Sequence, residues 1–238
     1  MTLLIEAAQI AGWTILSRPS GSSWVVDLNR ARATGWPRAS TKKRLRRIER
    51  RLGTLGEVTW QYVRGRGWDD GVLADLAAVE AASWVATDTN GSGAKFLTTA
   101  QRGVWQDMLN DPLLAAMLCA TILRVDGRAV AFSFDCDDGP VRYGIAGSYM
   151  TELGRYEIGK LANYRSMEDA MAAGQRRVDL GMGDSGYKRE MGAAEAYHLA
   201  DLLFVRSRIA ARLLAKKWGS AIAPSSPIKL AMQELVDG

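Results

Sequence analysis

The stretch richest in chemical groups is Val178-Asp-Leu-Gly-Met-Gly-Asp-Ser-Gly-Tyr-Lys188, where an apolar run passes into a glycine-rich turn carrying acids, a phenol and an amine. The glycines leave backbone uncovered, so a ligand can approach. Asp179, Asp184, Tyr187 and Lys188 are suited to proton transfer or to holding polar groups. The same residues also fit a tight turn whose aspartate caps a helix and whose lysine is solvated, and composition does not choose between the two. A second stretch, Ser148 to Leu161, joins an expected strand to an expected helix. Such a join presents unpaired amides and the positive end of the helix dipole, which bind phosphate without specific side chains. Gly154 and Gly159 permit close backbone approach, and Arg155 and Lys160 add positive charge.

Other chemistries find little support. The two cysteines, Cys119 and Cys136, form no CxxC pair, and neither lies beside the one histidine, His198. A zinc site wants about four nitrogen or sulfur ligands, so no metal is expected and both thiols read as structural and reduced. His198, on an expected strand, reads as a hydrogen-bonded structural residue. Trp84 and Trp105 sit at helical core spacing, which predicts burial. Trp13, Trp36 and Trp68 lie beside glycine or proline in loops, freer to contact a ligand.

The net charge of +5 comes from one segment: residues 38–51 hold eight Lys/Arg against Glu49 alone, and the remainder is slightly acidic. That argues against a globally nucleic-acid-binding surface. At 47% hydrophobic content the chain can bury a large core. No apolar run has bilayer-spanning length, and Met1 to Ile10 lacks the pattern of a secretion signal. The expectation is a soluble cytoplasmic protein without a membrane span.

These groups need elements to position them. Periodicity and caps predict a helix over Leu3 to Ala11, a strand over Trp24 to Leu28 and a loop to Pro37. A helix capped by Ser40 or Thr41 then runs to Leu52, with Leu45, Ile48 and Leu52 on one face. A strand follows over Val58 to Val63. Next come a helix capped at Asp69 or Asp70 that buries Val72, Leu73, Leu76 and Val79, and a polar loop over Thr87 to Ala94. A helix capped at Thr98 or Thr99 carries Val104, Trp105, Met108 and Leu109 toward the core and ends at Asp111-Pro112. Three strands, Met117 to Val125, Ala129 to Phe134 and Val141 to Tyr149, form an antiparallel meander whose first turn is Asp126-Gly127. A helix over Glu157 to Ala173 leads to a strand over Arg177 to Leu180 and a short helix near Tyr187 to Met191. A strand from Tyr197 to Val205 and a helix from Ile209 to Trp218 precede a Pro224 to Pro227 linker and a small terminal helix. The order predicts an α+β, mixed-sheet fold: a mostly antiparallel central sheet flanked by helices.

Asp179-Leu-Gly-Met-Gly-Asp-Ser-Gly-Tyr-Lys188 closely resembles the terminal signature of the BioF2-like, or CelD (BcsL)-like, acetyltransferase domain. That domain belongs to the GCN5-related N-acetyltransferase (GNAT) superfamily and is related to the Fem peptidyltransferases. Thr41-Lys-Lys-Arg-Leu-Arg-Arg-Ile-Glu-Arg-Arg-Leu52 resembles the basic helix that opens the domain. Ser83-Trp84 and the hairpin Leu123-Arg-Val-Asp-Gly-Arg-Ala-Val-Ala131 add to the likeness, in the family's order. The chain departs from the family at Tyr156-Glu-Ile-Gly-Lys160, where relatives often carry a Ser-Pro-Gly-like turn.

The resemblance implies a GNAT fold over residues 38–218, with 1–37 as an N-terminal extension and 219–238 as a tail. It implies acetyl-CoA or another acyl-CoA as co-substrate, its diphosphate lying on Tyr156, Glu157, Ile158, Gly159 and Lys160. The thioester carbonyl would be polarised by strand amides near Gly147, Ser148 and Tyr149, and a small-molecule amine would attack directly. Tyr187 is implied as the acid for the leaving thiolate. Lys188 would orient the acceptor or stabilise negative charge, and Asp179 or Asp184 would relay the amine proton. Two other readings accompany this one: a Fem-like transferase drawing on aminoacyl-tRNA, and a non-catalytic module that binds acyl-CoA or a partner protein. The basic helix fits RNA or an anionic glycan, and equally a solvated amphipathic face.

Overall fold

The computed structural model describes residues 2–183 and 186–221. In chain order the elements are α1 (Thr2–Ile10), β1 (Thr14–Asp27), α2 (Leu28–Ala33), α3 (Ala39–Leu52), β2 (Val58–Arg64), α4 (Asp70–Ala81), α5 (Trp84–Asp88), α6 (Thr99–Leu109), α7 (Pro112–Met117), β3 (Leu118–Val125), β4 (Arg128–Asp138), β5 (Val141–Tyr149), α8 (Ile158–Ala172), β6 (Arg177–Met182), α9 (Tyr187–Glu190), β7 (Ala194–Val205), α10 (Arg208–Ala215) and β8 (Ser220–Ala221). They form two compact units. One is Val25–Ala194; the other joins the described residues of Met1–Trp24 and Glu195–Gly238.

The larger unit is a mixed α/β structure. Its strands run in the order β2-β3-β4-β5-β6, antiparallel except for the parallel pair β5 and β6. The β3–β4 hairpin closes on Asp126 and Gly127, both at positive φ, as a tight turn that follows the sheet twist requires. β3 is buried along nearly its whole length, because helices cover both faces of the sheet centre. Alternation along β4 separates two environments. Phe132 and Phe134 join Phe96 and Trp105 in a cluster of edge-to-face rings. Ser133 and Asp135 point the other way, toward α8, where Ser166 donates to Asp135 at 2.7 Å. Burying each such phenylalanine contributes about 1.5–3 kcal/mol.

The helices form for legible reasons. Asp69 accepts from Val72 N at the start of α4, whose Val72, Leu73, Leu76 and Val79 are buried. A reciprocal cap between Thr98 and Gln101 opens α6. Leu45, Ile48 and Leu52 form the buried stripe of α3.

Several expectations are corrected. Strand β1 starts ten residues before Trp24, at Thr14. Helices α2 and α5 occupy segments expected to be loop or partly loop. Helix α6 ends at Leu109, just before Asp111-Pro112 as expected, and Asp111 also caps an unexpected helix, α7, accepting from Leu113 N and Leu114 N. Val104 is 56% exposed and Trp84 42%, so neither belongs to the core. Helix α6 meets the sheet through Trp105, and a helix touching along one residue row leaves its neighbours in solvent. Trp36 and Trp68, expected to be freer, are bound into the protein. Trp36 stacks on Tyr164 and donates to Met191 O at 2.9 Å, and Trp68 donates to Leu118 O at 3.1 Å.

In the smaller unit, β1 neighbours β7 and pairs with β8 through Leu16↔Ala221 and Ser17↔Ser220. Arg18 bridges to Asp201 at 2.9 Å and stacks over Trp218. His198 is exposed and hydrogen-bonds Ser22 at 3.0 Å. The expected 224–227 linker and terminal helix lie outside the described residues.

Candidate active site

The site begins where two strands part. β5 and β6 pair only from Val141↔Arg177 to Tyr143↔Asp179. Beyond Tyr143, β5 continues to Tyr149 paired with β4 alone among the described residues, so alternate peptide groups on its other edge face no described strand. The β4–β5 register also shifts, from Phe134↔Ala146 to Asp135↔Gly144, leaving Ile145 as an extra residue. Such a bulge bends a strand and turns its groups. Gly144 sits at the apex: a Cβ there would stand 3.3 Å from Asp179 O and 3.7 Å from an Asp135 carboxylate oxygen. The opening is a cavity of about 680 Å³ walled by Gly144–Tyr149 of β5, the start of α8, the end of β6 and the start of α9.

At one end lies the start of α8. Glu157 takes a left-handed conformation (φ 57°) and makes no side-chain cap. Leu161 N is the first helix amide to find a backbone acceptor, Glu157 O at 3.2 Å. The amides of Ile158, Gly159 and Lys160 have no backbone acceptor among the described residues, the usual state of a helix start and one suited to an anion. The side chains there are balanced. Arg44 of α3 grips both carboxylate oxygens of Glu157, and Lys160 bridges to Glu190 at 2.6 Å and to Glu157 at 3.6 Å. The positive field facing a ligand therefore comes mainly from the backbone. The room at Gly159 is taken by the ring of Tyr149, with Cδ1 2.5 Å from where a Cβ would be.

At the other end, β6 turns into α9. Lys188 is buried, its Nζ donating to Gly181 O and Met182 O at 2.9 Å each. Asp179 is buried too and accepts from Gly181 N at 2.8 Å. Both hold the turn in shape. Tyr187, half-buried, lines the cavity.

Of the residues singled out from the sequence, Gly147, Ser148, Tyr149, Glu157, Gly159, Lys160, Tyr187 and Lys188 come together on this one cavity. Tyr156 and Ile158 are buried behind it, Asp179 stands outside the lining, and Asp184 lies outside the described residues.

Sequence reasoning missed Ser133, Asp135, Asn163 and Trp84, which also line the cavity. Asp135 is buried and accepts from Ser133 at 3.0 and 3.1 Å as well as from Ser166. Burial pushes its pKa up to about 6, against the opposing pull of Arg142 and the two serines. The signal was available: Ser133, Asp135 and Asp137 place polar groups at every second position of an otherwise apolar strand. Behind Asp135, fully buried Arg142 donates to Asp137 at 2.7 and 2.9 Å and to Ser166 O at 2.7 Å, making a rigid floor.

Solved structures share this architecture. The C-terminal domain of an Agrobacterium fabrum protein classed as a lysylphosphatidylglycerol synthetase superposes with a TM-score of 0.56 at 16% identity, covering 90% of this chain and 67% of that one. A conserved protein of unknown function from Bacteroides thetaiotaomicron gives 0.53 at 15%, covering 86% and 66%. The glucosamine N-acetyltransferase region of a fungal multi-domain β-N-acetylglucosaminidase gives 0.50 at 8%, covering 85% and 22%. At these identities the likeness is one of fold, and the chain spans about two thirds of the first two. No curated protein matches the sequence. The family model for the acetyltransferase (GNAT) domain matches residues 39–189, more than half of the chain, and so the chain belongs to the GNAT acetyltransferase domain family.

Proposed function

We propose that the protein transfers an acyl group, acetyl in the simplest case, from acyl-coenzyme A to the amine of a small cytoplasmic acceptor. An amino sugar or amino acid destined for envelope or exopolysaccharide assembly would suit. We assign the transferase to residues 38–218, with 1–37 and 219–238 as extensions. The observation that carries the reading is the cleft between β5 and β6, which has amides without a backbone acceptor among the described residues at the start of α8 on one side and Tyr187 on the other.

The donor diphosphate would rest on the amides of Ile158, Gly159 and Lys160. The pantetheine arm would pair with the unpaired edge of β5, as an added strand does. The thioester oxygen would then meet the amides near Gly147, Ser148 and Tyr149. Donors fixed before reaction stabilise the developing oxyanion without reorganising. Holding amine and thioester together removes much of the entropic barrier. Tyr187 would protonate the departing sulfur, while Lys188 and Asp179 keep the turn that presents it.

A second reading, transfer from aminoacyl-tRNA, is favoured by the outer face of α3. Lys42, Lys43, Arg46, Arg47 and Arg50 are exposed there, suited to a phosphate backbone. A fold relative classed as a lysylphosphatidylglycerol synthetase is compatible with it. Thiol release from acetyl-CoA, assayed with glucosamine, lysine and ethylamine, tests the first reading. Amine-dependent release supports it. No release, with transfer from lysyl-tRNA that RNase abolishes, replaces it with the second.

A further inference from the structure

We infer that Asp135 is the proton acceptor of the transfer reaction, receiving the proton that the attacking amine must lose. The inference rests on the acyl-transfer reading above and adds the base that reading lacks.

Asp135 lies where the β4–β5 bulge and the β5–β6 separation coincide, opposite Gly144, and it lines the cavity. Glycine at 144 leaves this corner roomier, since a Cβ there would stand 3.7 Å from Asp135 Oδ1, in ordinary contact, and 3.3 Å from Asp179 O. Asp135 as a residue is 4% exposed, so the cavity is its route to a substrate. Ser166 fixes one oxygen at 2.7 Å, and Ser133, itself on the cavity wall, contacts both at 3.0 and 3.1 Å.

Among the described residues, the acids and lysines nearest the cavity are committed to other partners. Asp179 is turned onto Gly181 N, and Lys188 onto the carbonyls of Gly181 and Met182. Glu157 is held by Arg44 and Lys160. Among the described residues, the charged groups acting most on Asp135 are Asp137 of β4 and Arg142 of β5, and Asp169 of α8 lies against Arg142. Arg142 bonds both of those acids, and Arg64 of β2 does the same. Cys119, paired with Asp135 across β3, stays a neutral thiol because burial raises it strongly. The basicity of Asp135, raised by burial, suits a group that must be charged at neutral pH and still accept a proton.

The amine lone pair forms a bond to the thioester carbon, and the C=O π pair moves to oxygen. The adduct nitrogen gives its extra proton to Asp135. The oxyanion pair then reforms C=O, the C–S bond breaks with its electrons on sulfur, and sulfur takes a proton from Tyr187. The proton on Asp135 returns to Tyr187 through solvent, so an amide and a free thiol are the net products.

The test measures thiol release from acetyl-CoA with saturating glucosamine, lysine or ethylamine between pH 5 and 9. The full-length wild type is compared with Asp135→Asn and Ser166→Ala. Wild-type kcat should fall tenfold per pH unit below an inflection near 6. Asp135→Asn should lower kcat at pH 8 by roughly a hundredfold and abolish the inflection, with acetyl-CoA affinity held within about twofold. Ser166→Ala removes a hydrogen bond to the carboxylate and should move the inflection upward, a response that a purely structural role would not give. A wild type that turns over, with the inflection intact in Asp135→Asn or unmoved in Ser166→Ala, overturns the inference alone. A wild type that releases no thiol with any of these amines overturns the acyl-CoA reading and the inference with it.

Discussion

The ring of Tyr149 fills the space that a side chain at Gly159 would need, so the end of β5 and the first turn of α8 interlock at the mouth of the cleft. Each shapes what the other offers a ligand. Glycine at 159 lets the ring lie against the helix instead of across the cavity.

Gly159→Ala probes fold and site together. Alanine's helix preference of about 1 kcal/mol is opposed by the clash of its Cβ with Tyr149 Cδ1, 2.5 Å away, so thermal stability should fall modestly. The displaced Tyr149 ring should narrow the cleft and weaken acetyl-CoA binding roughly tenfold, or about 1.4 kcal/mol. Calorimetry beside thermal unfolding checks this; unchanged affinity would mean the ring does not border the donor.

Stability should carry the mark of Asp135. Its folded pKa, about 6, lies above the ordinary 3.8, so the fold favours the protonated acid. That contribution is fully present below pH 3.8 and is lost as pH rises through 6, a change on the order of 3 kcal/mol. Asp135→Asn stays neutral throughout. Its stability relative to wild type should therefore rise between pH 4 and 7.5 in urea unfolding, and a pH-independent difference would contradict this.

The sheet's polar floor should be intolerant of truncation. Fully buried Arg142 joins Asp137, Asp169 and the Ser166 carbonyl. Arg142→Ala leaves Arg64 to hold both acids and should cost about 3–5 kcal/mol. Lysine, a point charge in place of a fork, should recover only part of this. Urea midpoints for the two variants measure both effects.

Tyr187→Phe keeps the ring and removes the proton. Turnover should fall by about a hundredfold while acetyl-CoA affinity stays within twofold. Unchanged turnover would retire Tyr187 as the acid.

Much of this architecture is legible in the sequence because local signals and global packing agree. Asp69 and Thr98 cap their helices, and Asp126-Gly127 turns its hairpin, for reasons contained in a few neighbouring residues. The glycine-rich turn before Tyr187 and the strand–helix join at Tyr149 to Lys160 stand out by composition, and most of their singled-out residues reach the same cavity. What escaped depends on distant partners. Trp84 has core spacing, yet the cavity lies beside it. Trp36 looks like a loop residue, yet Tyr164 lies far along the chain and stacks on it. The alternation of Ser133, Asp135 and Asp137 marks a polar strand face, but that this face borders the cavity shows only once Ser166 and Gly144 are seen around Asp135. Lys160 promises free positive charge until Glu190, thirty residues on, meets it.

The most direct measurement is calorimetric titration of the full-length protein with acetyl-CoA. A single site is expected, with Kd inside the ~1 μM–1 mM range common for enzyme substrates. Coenzyme A should compete for it, and Gly159→Ala should weaken it. Absence of binding heat across several temperatures, with no thermal shift on adding acetyl-CoA, would contradict the donor site between β5 and β6.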